Sequence, residues 1–584
     1  MTAHATPPQP AAPTATHDAA DPLEANAPTI AAGTPRDDAR ARADAAEDRR
    51  HLAARVLADA LLLGVVGDAL LRVSSWGVNF SIWSVGIVAA MLTVARRRYD
   101  VTPPDARWLA IPAVALGLMF VWRESASLAA YNALALAGTL ALLATAIARG
   151  PQHSLVGSRV RDLVRGAATV AASALFGMLP LVLVDVSLRE VARARGAARL
   201  IAGVRAALIA VPLLLVFGGL FASADPVFAR IAGQVLRLDV DEVASHLVFG
   251  GGIAWLVGGL LRGTVLAPAK ATWGTGFLDG TLGLTEVAVT LGSLVLLFAA
   301  FVLVQLRYFF GGEALVRATA GLGYADYARR GFFELVTVSA LVLPVLLAAG
   351  ALLRRDTPRA ERVYRALSAA LIALLAVIMY SALARMRLYQ AAYGLSTDRL
   401  YATAFMAWLA MVFGWFCVTV LRGRERGFSA GLPVSAWGVI ALLNALDPAG
   451  LVARSNIARA ARGQPLDVSY TASLGADAAP ALVRYLAGQP LTPPAAAAGA
   501  TPNVVPDARE WDAFTARCHA ARRLLDAWGP SSSNDWRSWT VGRAAARRAV
   551  AAREPALRQL ASLPASPVRP VPCPAAAPPT AASQ

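Results

Sequence analysis

The 584-residue chain is 57% hydrophobic and only 16% charged, with a mean hydropathy of +0.51, which excludes an ordinary soluble protein of this size. Its net charge of +17 does not point to nucleic acid, because the arginines flank hydrophobic blocks and no basic stripe carries the interleaved aromatics of a strand-binding surface. Cys417, Cys518 and Cys573 form no CxxC pair and the six histidines no HExxH pair, so neither a metal nor a cofactor is expected.

Residues 1–50 are rich in Ala, Pro and Thr and then in mixed Asp and Arg, a composition that reads as a disordered tail without the apolar core of a signal peptide. Residues 51–447 read as a helical transmembrane domain. Its first apolar helix, 56–73, carries Asp59 and Asp68. Arg55 lies one helical turn before the first acid and Arg72 one turn after the second, so local pairing accounts for both. The nine-residue separation also puts the two acids on opposite faces of the helix.

Apolar spans follow at about 76–95, 108–122, 127–147 and 167–186. Arg96, Arg97 and Arg98, then Arg149, Arg159, Arg161 and Arg165, mark cytoplasmic loops between them. Asp185 has Arg189 one turn on. The segment 188–205 is arginine-rich and half apolar, as an interfacial amphipathic helix is. If every span crosses, this segment and the basic loop around Arg354, Arg355, Arg359 and Arg362 fall outside, against the positive-inside bias. If the span holding Pro180 is re-entrant or interfacial, most basic loops fall inside and the C-terminal tail is extracytoplasmic. The charge pattern favours the second arrangement, although Arg454, Arg459 and Arg462 pull the other way. Only an extracytoplasmic tail would let Cys518 pair with Cys573.

The stretch 206–224 is long enough to cross about 30 Å of hydrocarbon and ends abruptly in Ser223, Asp225 and Pro226. Further spans lie at about 244–261, 284–306, 331–353, 365–383, 400–421 and 432–446. In the first of these, Gly251 with Gly258 and Gly252 with Gly259 repeat one heptad apart and predict close helix contact. Glu286 sits just inside a span with no basic residue within four positions, whereas Glu334 has Arg330 nearby. After Asp447 and Pro448 the apolar blocks stop. Residues 448–562 read as a small soluble helical domain with helices at about 449–462, 478–486, 508–528 and 541–560, a linker near 490–506, and a polar and aromatic cluster at Asp535, Trp536, Arg537 and Trp539. Residues 563–584 are Pro/Ala-rich and read as disordered. The fold class is therefore all-α: a polytopic membrane protein of about 11–12 transmembrane helices with a small helical C-terminal domain.

The runs LFASADPVFA (220–229), QLRYFFGG (305–312), GLSTDRLYA (394–402) and NIARAARGQPLDVSYTASLGADAAPAL (456–482), with DWRSW at 535–539, resemble a family of bacterial multi-pass membrane proteins, domain of unknown function four-one-seven-three. The resemblance covers about 56–548. It implies a helical membrane domain followed by a short helical tail, and brings no catalytic residue with it.

Asp225 before Pro226 reads first as a turn and helix start, with a ligand or ion site as the alternative. The run 307–312 is an interfacial anchor. The loop holding Arg385, Arg387, Tyr389, Tyr393, Asp398 and Arg399 is an interfacial belt or a substrate mouth. Glu286 is the foremost functional residue, since a membrane acid without a local partner must pair across helices, face water or hold a proton. Asn456, Arg459, Asp467 and Tyr470 read as the caps and pins of a helical hairpin. No nucleophile, base and orienter set and no phosphate-binding loop exists. The chain therefore reads as a non-enzymatic protein of a bacterial inner membrane, a scaffold, sensory or assembly component. Its expected partners are the lipid bilayer and a protein met through the tail, not nucleic acid. The alternatives are a transporter or channel using Glu286 and Asp225, and an enzyme on a lipid-linked substrate using Asp225, Asp398 and Arg399.

Overall fold

The computed structural model describes residues 35–186, 240–266, 282–320, 332–491 and 508–563, apart from isolated positions within them, and short pieces of 210–228. Residues 1–49 form one unit and residues 50–584 another. The first helix, α1 (Pro35–Leu71), begins well before the end of the stretch expected to lack structure. Its early residues are rich in Ala and Arg, good helix formers, and it opens on Pro35, a favoured first helical residue.

The larger unit continues with α2 (Val78–Tyr99), α3 (Pro104–Trp122), α4 (Ala126–Arg149), α5 (Val160–Phe176) and α6 (Met178–Pro180), which runs into a π turn at Leu181–Asp185. Next come α7 (Val240–Val265), α8 (Leu284–Ala320), α9 (Phe332–Leu352), α10 (Pro358–Tyr393), α11 (Thr397–Thr419) and α12 (Glu425–Leu446). The tail holds α13 (Pro448–Ala460), α14 (Val468–Ser473), α15 (Ala479–Ala487), α16 (Ala508–Trp528), α17 (Val541–Ala552) and α18 (Glu554–Ser562). Side-chain caps start several of them. Ser125 accepts from Leu128 N, Thr357 from Ala360 N, Ser396 from Arg399 N and Thr540 from Arg543 N, each satisfying a donor that the helix cannot.

The protein is all-α and polytopic. Among the described residues nine helices are long and apolar enough to cross a membrane: α2, α3, α4, α7, α8, α9, α10, α11 and α12. The pair α5–α6 adds a tenth only if it counts as one span, and it is bent by 57°. Two expected spans are not among these. The apolar part of α1 carries Asp59 and Asp68 and is followed at once by Arg72, and nine of the nineteen residues of 206–224 lie outside the described residues. Large apolar side chains face outward on the spans, with Trp108 and Leu134 each 73% and Leu296 72% exposed. Such surface is stable in lipid rather than in water.

Inside, α1 to α7 share one core around Met91, Leu143, Ile147 and Leu261, while α8 to α12 share another around Leu291, Leu346, Phe416 and Phe428. Helices α4 and α12 join the halves. Asn132 and Asn444, both buried, exchange side-chain amide hydrogen bonds (2.9 and 3.3 Å), and Trp437 Nε1 donates to Thr139 Oγ1 (2.9 Å).

The turns sort into two ends. At one end lie the α2–α3, α4–α5, α9–α10 and α11–α12 connections, tied by Tyr99 Oη to Ile147 O (2.9 Å) and Ser429 Oγ to Ser158 O (2.6 Å). This end carries Arg96, Arg97, Arg98, Arg149, Arg159, Arg161, Arg354, Arg359, Arg362, Arg422, Arg424 and Arg426. The other end holds the α1–α2, α3–α4, α10–α11 and α12–α13 junctions, and the tail docks there. Its short turns balance Arg72, Arg123 and Arg399 against Asp68, Glu124, Asp398 and Asp447, with Arg385 and Arg387 on the last turns of α10.

Helix α7 runs from the tail end, where Ser245 accepts from Arg72 and His246 Nδ1 meets Asp68. The bent pair α5–α6 touches its second half: Trp255 Nε1 donates to Leu175 O (2.7 Å), Met178 packs at Gly258, and Arg262 Nε donates to Asp185 Oδ2 (2.6 Å). The α5–α6 pair therefore starts at the arginine end and packs along this half of α7, as a broken span or a re-entrant loop does. Asp185 takes Arg262 as its partner across helices; Arg189, its expected partner, lies outside the described residues.

The glycine heptads on α7 are used in half. A Cβ on Gly259 would stand 2.3 Å from Ser173 O and 2.6 Å from Ala174 O, whereas one on Gly251 or Gly252 meets nothing within 4 Å. Gly259→Ala must push backbone against backbone and is expected to destabilise by about 1–3 kcal/mol, while Gly251→Ala is neutral. Thermal unfolding of the detergent-solubilised variants checks this, and equal midpoints would contradict the contact.

Candidate functional site

The residues singled out in the sequence are placed apart. Asp225 is exposed, and its Oδ1 accepts from the backbone nitrogens of Val227 (2.7 Å) and Phe228 (3.4 Å), as a helix cap does. Glu286 is exposed in the first turn of α8, folded over Gly283 beside the Leu282–Leu353 bridge at the arginine end. A helix start favours an acid there without any further partner. Asp398 is exposed in the first turn of α11. Arg399 donates to Gly394 O (2.6 Å) and stands 4.0 Å over the Tyr389 ring. No hydrogen bond or ion pair joins any two of these four among the described residues.

Two of the quoted runs meet each other instead. Asn456, on α13, accepts from Leu395 N (2.9 Å) and donates to Leu395 O (2.7 Å). Arg459 donates to the carbonyls of Gln390, Ala391 and Ala392, and Tyr470 Oη accepts from Thr397 N (2.9 Å). These residues hold the α10–α11 turn against the tail, while Asp467 caps α14. Only the capping part of the hairpin expectation matches this geometry. The DWRSW run docks on the α1–α2 turn: Arg537 donates to Ala69 O (2.9 Å) and Trp539 O accepts from Val78 N (3.1 Å). The Arg537 guanidinium, hydrogen-bonded to Asp535, holds that carboxyl below the usual carboxylate range.

Between these two anchors lies a charged cavity of about 140 Å³, lined by Arg123, Asp447, Arg454, Asp477, Arg484 and Gly542 among others. It sits where the bundle meets the tail. Asp447 turns α12 into α13 with φ 55°, accepts from Gly450 N (3.0 Å), and stands 3.1 Å from Arg454 and 3.8 Å from Arg123. Arg123 Nε donates to Asn444 O (2.9 Å), linking the cavity to the buried amide pair. Glu124 pairs with Arg543 of α17 (2.8 Å), and its backbone nitrogen donates to Asp477 Oδ2 (2.8 Å).

Asp477 is 9% exposed, and its Oδ1 has no hydrogen-bond partner among the described residues; Glu124 Oε2 and Arg543 Nε are buried in the same condition. Burial, with smaller contributions from the charges of Asp447 and Glu124, pushes the Asp477 carboxyl up to about 6 against the opposing Glu124 N–H and Arg123. Gly542 packs so closely that a Cβ there would lie 2.3 Å from Asp477 Oδ1.

The sequence model of one family, domain of unknown function DUF4153, matches residues 110–485. The chain belongs to this family. No curated protein and no solved structure matches it. The DUF4153 match is shorter than the resemblance read over 56–548. It includes Arg123, Glu124, Asp447, Arg454, Asp477 and Arg484, and stops before DWRSW and Arg543. The DUF4153 region thus supplies the acids of the cavity, and the residues beyond it supply the cation that closes over Glu124.

Chemically, the site holds a buried carboxyl, Asp477, that burial pushes up to about 6. Among the described residues no group of three or more His, Cys, Asp or Glu gathers as a metal site would. Sequence reasoning missed Arg123, Glu124, Asp477 and Arg543. The available signals were a charged pair, Arg123–Glu124, in a three-residue turn between spans, and an acid inside the quoted 456–482 run.

Proposed function

We propose that the protein is a non-enzymatic sensory scaffold of a bacterial inner membrane, whose extracytoplasmic helical tail docks on the bundle according to the protonation of Asp477. The observation that carries this reading is the placement of a buried, half-satisfied carboxyl where tail and bundle meet. The charged groups facing it are Arg123 and Glu124 from the α3–α4 turn, Asp447 and Arg454 from the α12–α13 junction, Arg484 from α15, and Arg543 from α17. The orientation rests on the arginines of the short connections, which belong on the cytoplasmic side.

The raised pKa fixes the sign. An exposed Asp477 loses its proton near 3.8 and the docked one near 6, so docking is strongest below about pH 4 and weakens as pH rises through 6. The difference is worth about 3 kcal/mol once the group is ionised in both states. Hydrogen-exchange protection factors across α15 and α17, which remove the intrinsic pH dependence of amide exchange, are expected to be larger at pH 5 than at pH 7.5 in the wild type. In Asp477→Asn they should be large at both. A pronounced pH dependence of protection surviving in that variant would remove Asp477 from the role.

Proteoliposomes test the scaffold reading separately. No solute or ion flux is expected from the purified protein; a flux that Glu286→Gln abolishes would replace the scaffold with a transporter.

A further inference from the structure

A second cavity, of about 670 Å³, lies between α10 and α11. It falls within the range of about 300–1,000 Å³ usual for ligand sites. Its long wall is apolar: Leu375, Met379 and Leu383 face Met406, Ala410 and Phe413. These residues belong to two helices long and apolar enough to cross the membrane. Toward the tail end the lining changes to Arg387, Gln390 and Thr403. Arg387 makes no hydrogen bond or ion pair among the described residues, unlike Arg385 two positions before it. The groove therefore has an apolar length that begins inside the hydrocarbon and a lone cation at its membrane-boundary end.

We infer that this groove holds one acyl chain of an anionic glycerophospholipid, with its phosphate on Arg387. Charge selects the occupant. A zwitterionic lipid could lay a chain along Met379 and Met406 equally well, but its own choline or amine competes with Arg387 for the phosphate. The phosphate of an anionic headgroup is free to take the charge-assisted hydrogen bonds that a guanidinium offers. Met379, Met386 and Met406 suit the role, since unbranched thioether side chains adapt to a flexible chain. The inference rests on α10 and α11 alone and does not depend on the protonation of Asp477.

Native mass spectrometry of the full chain, released from vesicles containing equal phosphatidylglycerol and phosphatidylcholine, provides the test. The wild type is expected to keep phosphatidylglycerol in preference to phosphatidylcholine. Loss of a charge-assisted contact in Arg387→Gln should reduce that preference about tenfold. Ala410→Trp, which fills the groove, should remove the bound lipid of either kind. Equal retention of phosphatidylglycerol by the wild type and Arg387→Gln overturns the charge selection. Retention by a folded Ala410→Trp overturns the groove. If Ala410→Trp does not fold, Arg387→Gln decides alone, because Arg387 is exposed and outside the core.

Discussion

Alkaline phosphatase fused after Leu563 is expected to be active, and the same enzyme fused at Arg424 silent, when the chain is made in a bacterial host. The reporter folds only where its disulfides form, so it reads the side of the membrane directly. The expectation follows from the sorting of turns. The connections at the arginine end are short, and arginines within a few turns of a span are the charges that set orientation. The tail carries arginines too, but a domain of that length translocates largely regardless of its charge. Cys518 cannot serve as the accessibility probe, since it is fully buried in the tail core. An active fusion at Arg424 with a silent one after Leu563 would invert the orientation and move Asp477 to the cytoplasmic side.

Much of the architecture was legible because a bilayer constrains it so strongly. Ten of the twelve expected spans correspond to nine helices and one bent pair, most within a few residues of the hydropathic block, although α10 runs from Pro358 to Tyr393 around a block expected at 365–383. Pairings one helical turn apart were equally legible: Arg55 stands 3.2 Å from Asp59 and Arg72 3.5 Å from Asp68. Contacts between distant segments were not. His246 beside Asp68 and Arg262 beside Asp185 join helices whose order in space hydropathy does not specify. The charged junction was hidden for the same reason, since Glu124 and Arg543 are 419 positions apart. Glu286 drew attention because it lacked a neighbour of opposite charge, yet a helix start suits an acid through its backbone alone, which no search for charged partners detects. The quoted runs carried real information of another kind: Asn456, Arg459 and Tyr470 bond the 390–397 segment, so the motifs are two sides of one docking surface.

Arg543→Ala is expected to release the tail from the bundle while leaving the tail folded. The Arg543 and Glu124 side chains are only 11% and 24% exposed, and the guanidinium bridges Glu124 Oε1 to the Ser538 carbonyl. Removing one member of a buried pair costs about 3–5 kcal/mol, because the remaining charge loses its partner without regaining water. Here the charge left behind is Glu124, beside Asp477 and near Asp447, with Arg123 as the counter-charge close by. The tail core of Leu482, Phe514, Val550 and Leu557 does not use these side chains, so α16 to α18 should keep their helical signal while hydrogen-exchange protection of Val78 N, which donates to Trp539 O, falls. Two further measurements separate electrostatics from lost packing. Arg543→Ala combined with Glu124→Gln is expected to recover much of the docking, since a neutral amide is less costly to bury than a lone carboxylate. The single variant should also recover as pH falls through 6, where Asp477 takes up its proton and one of the facing acids is neutralised. Failure of both rescues would reduce Arg543 to a packing residue; both succeeding would make the net charge of the junction the quantity that decides whether the tail stays down.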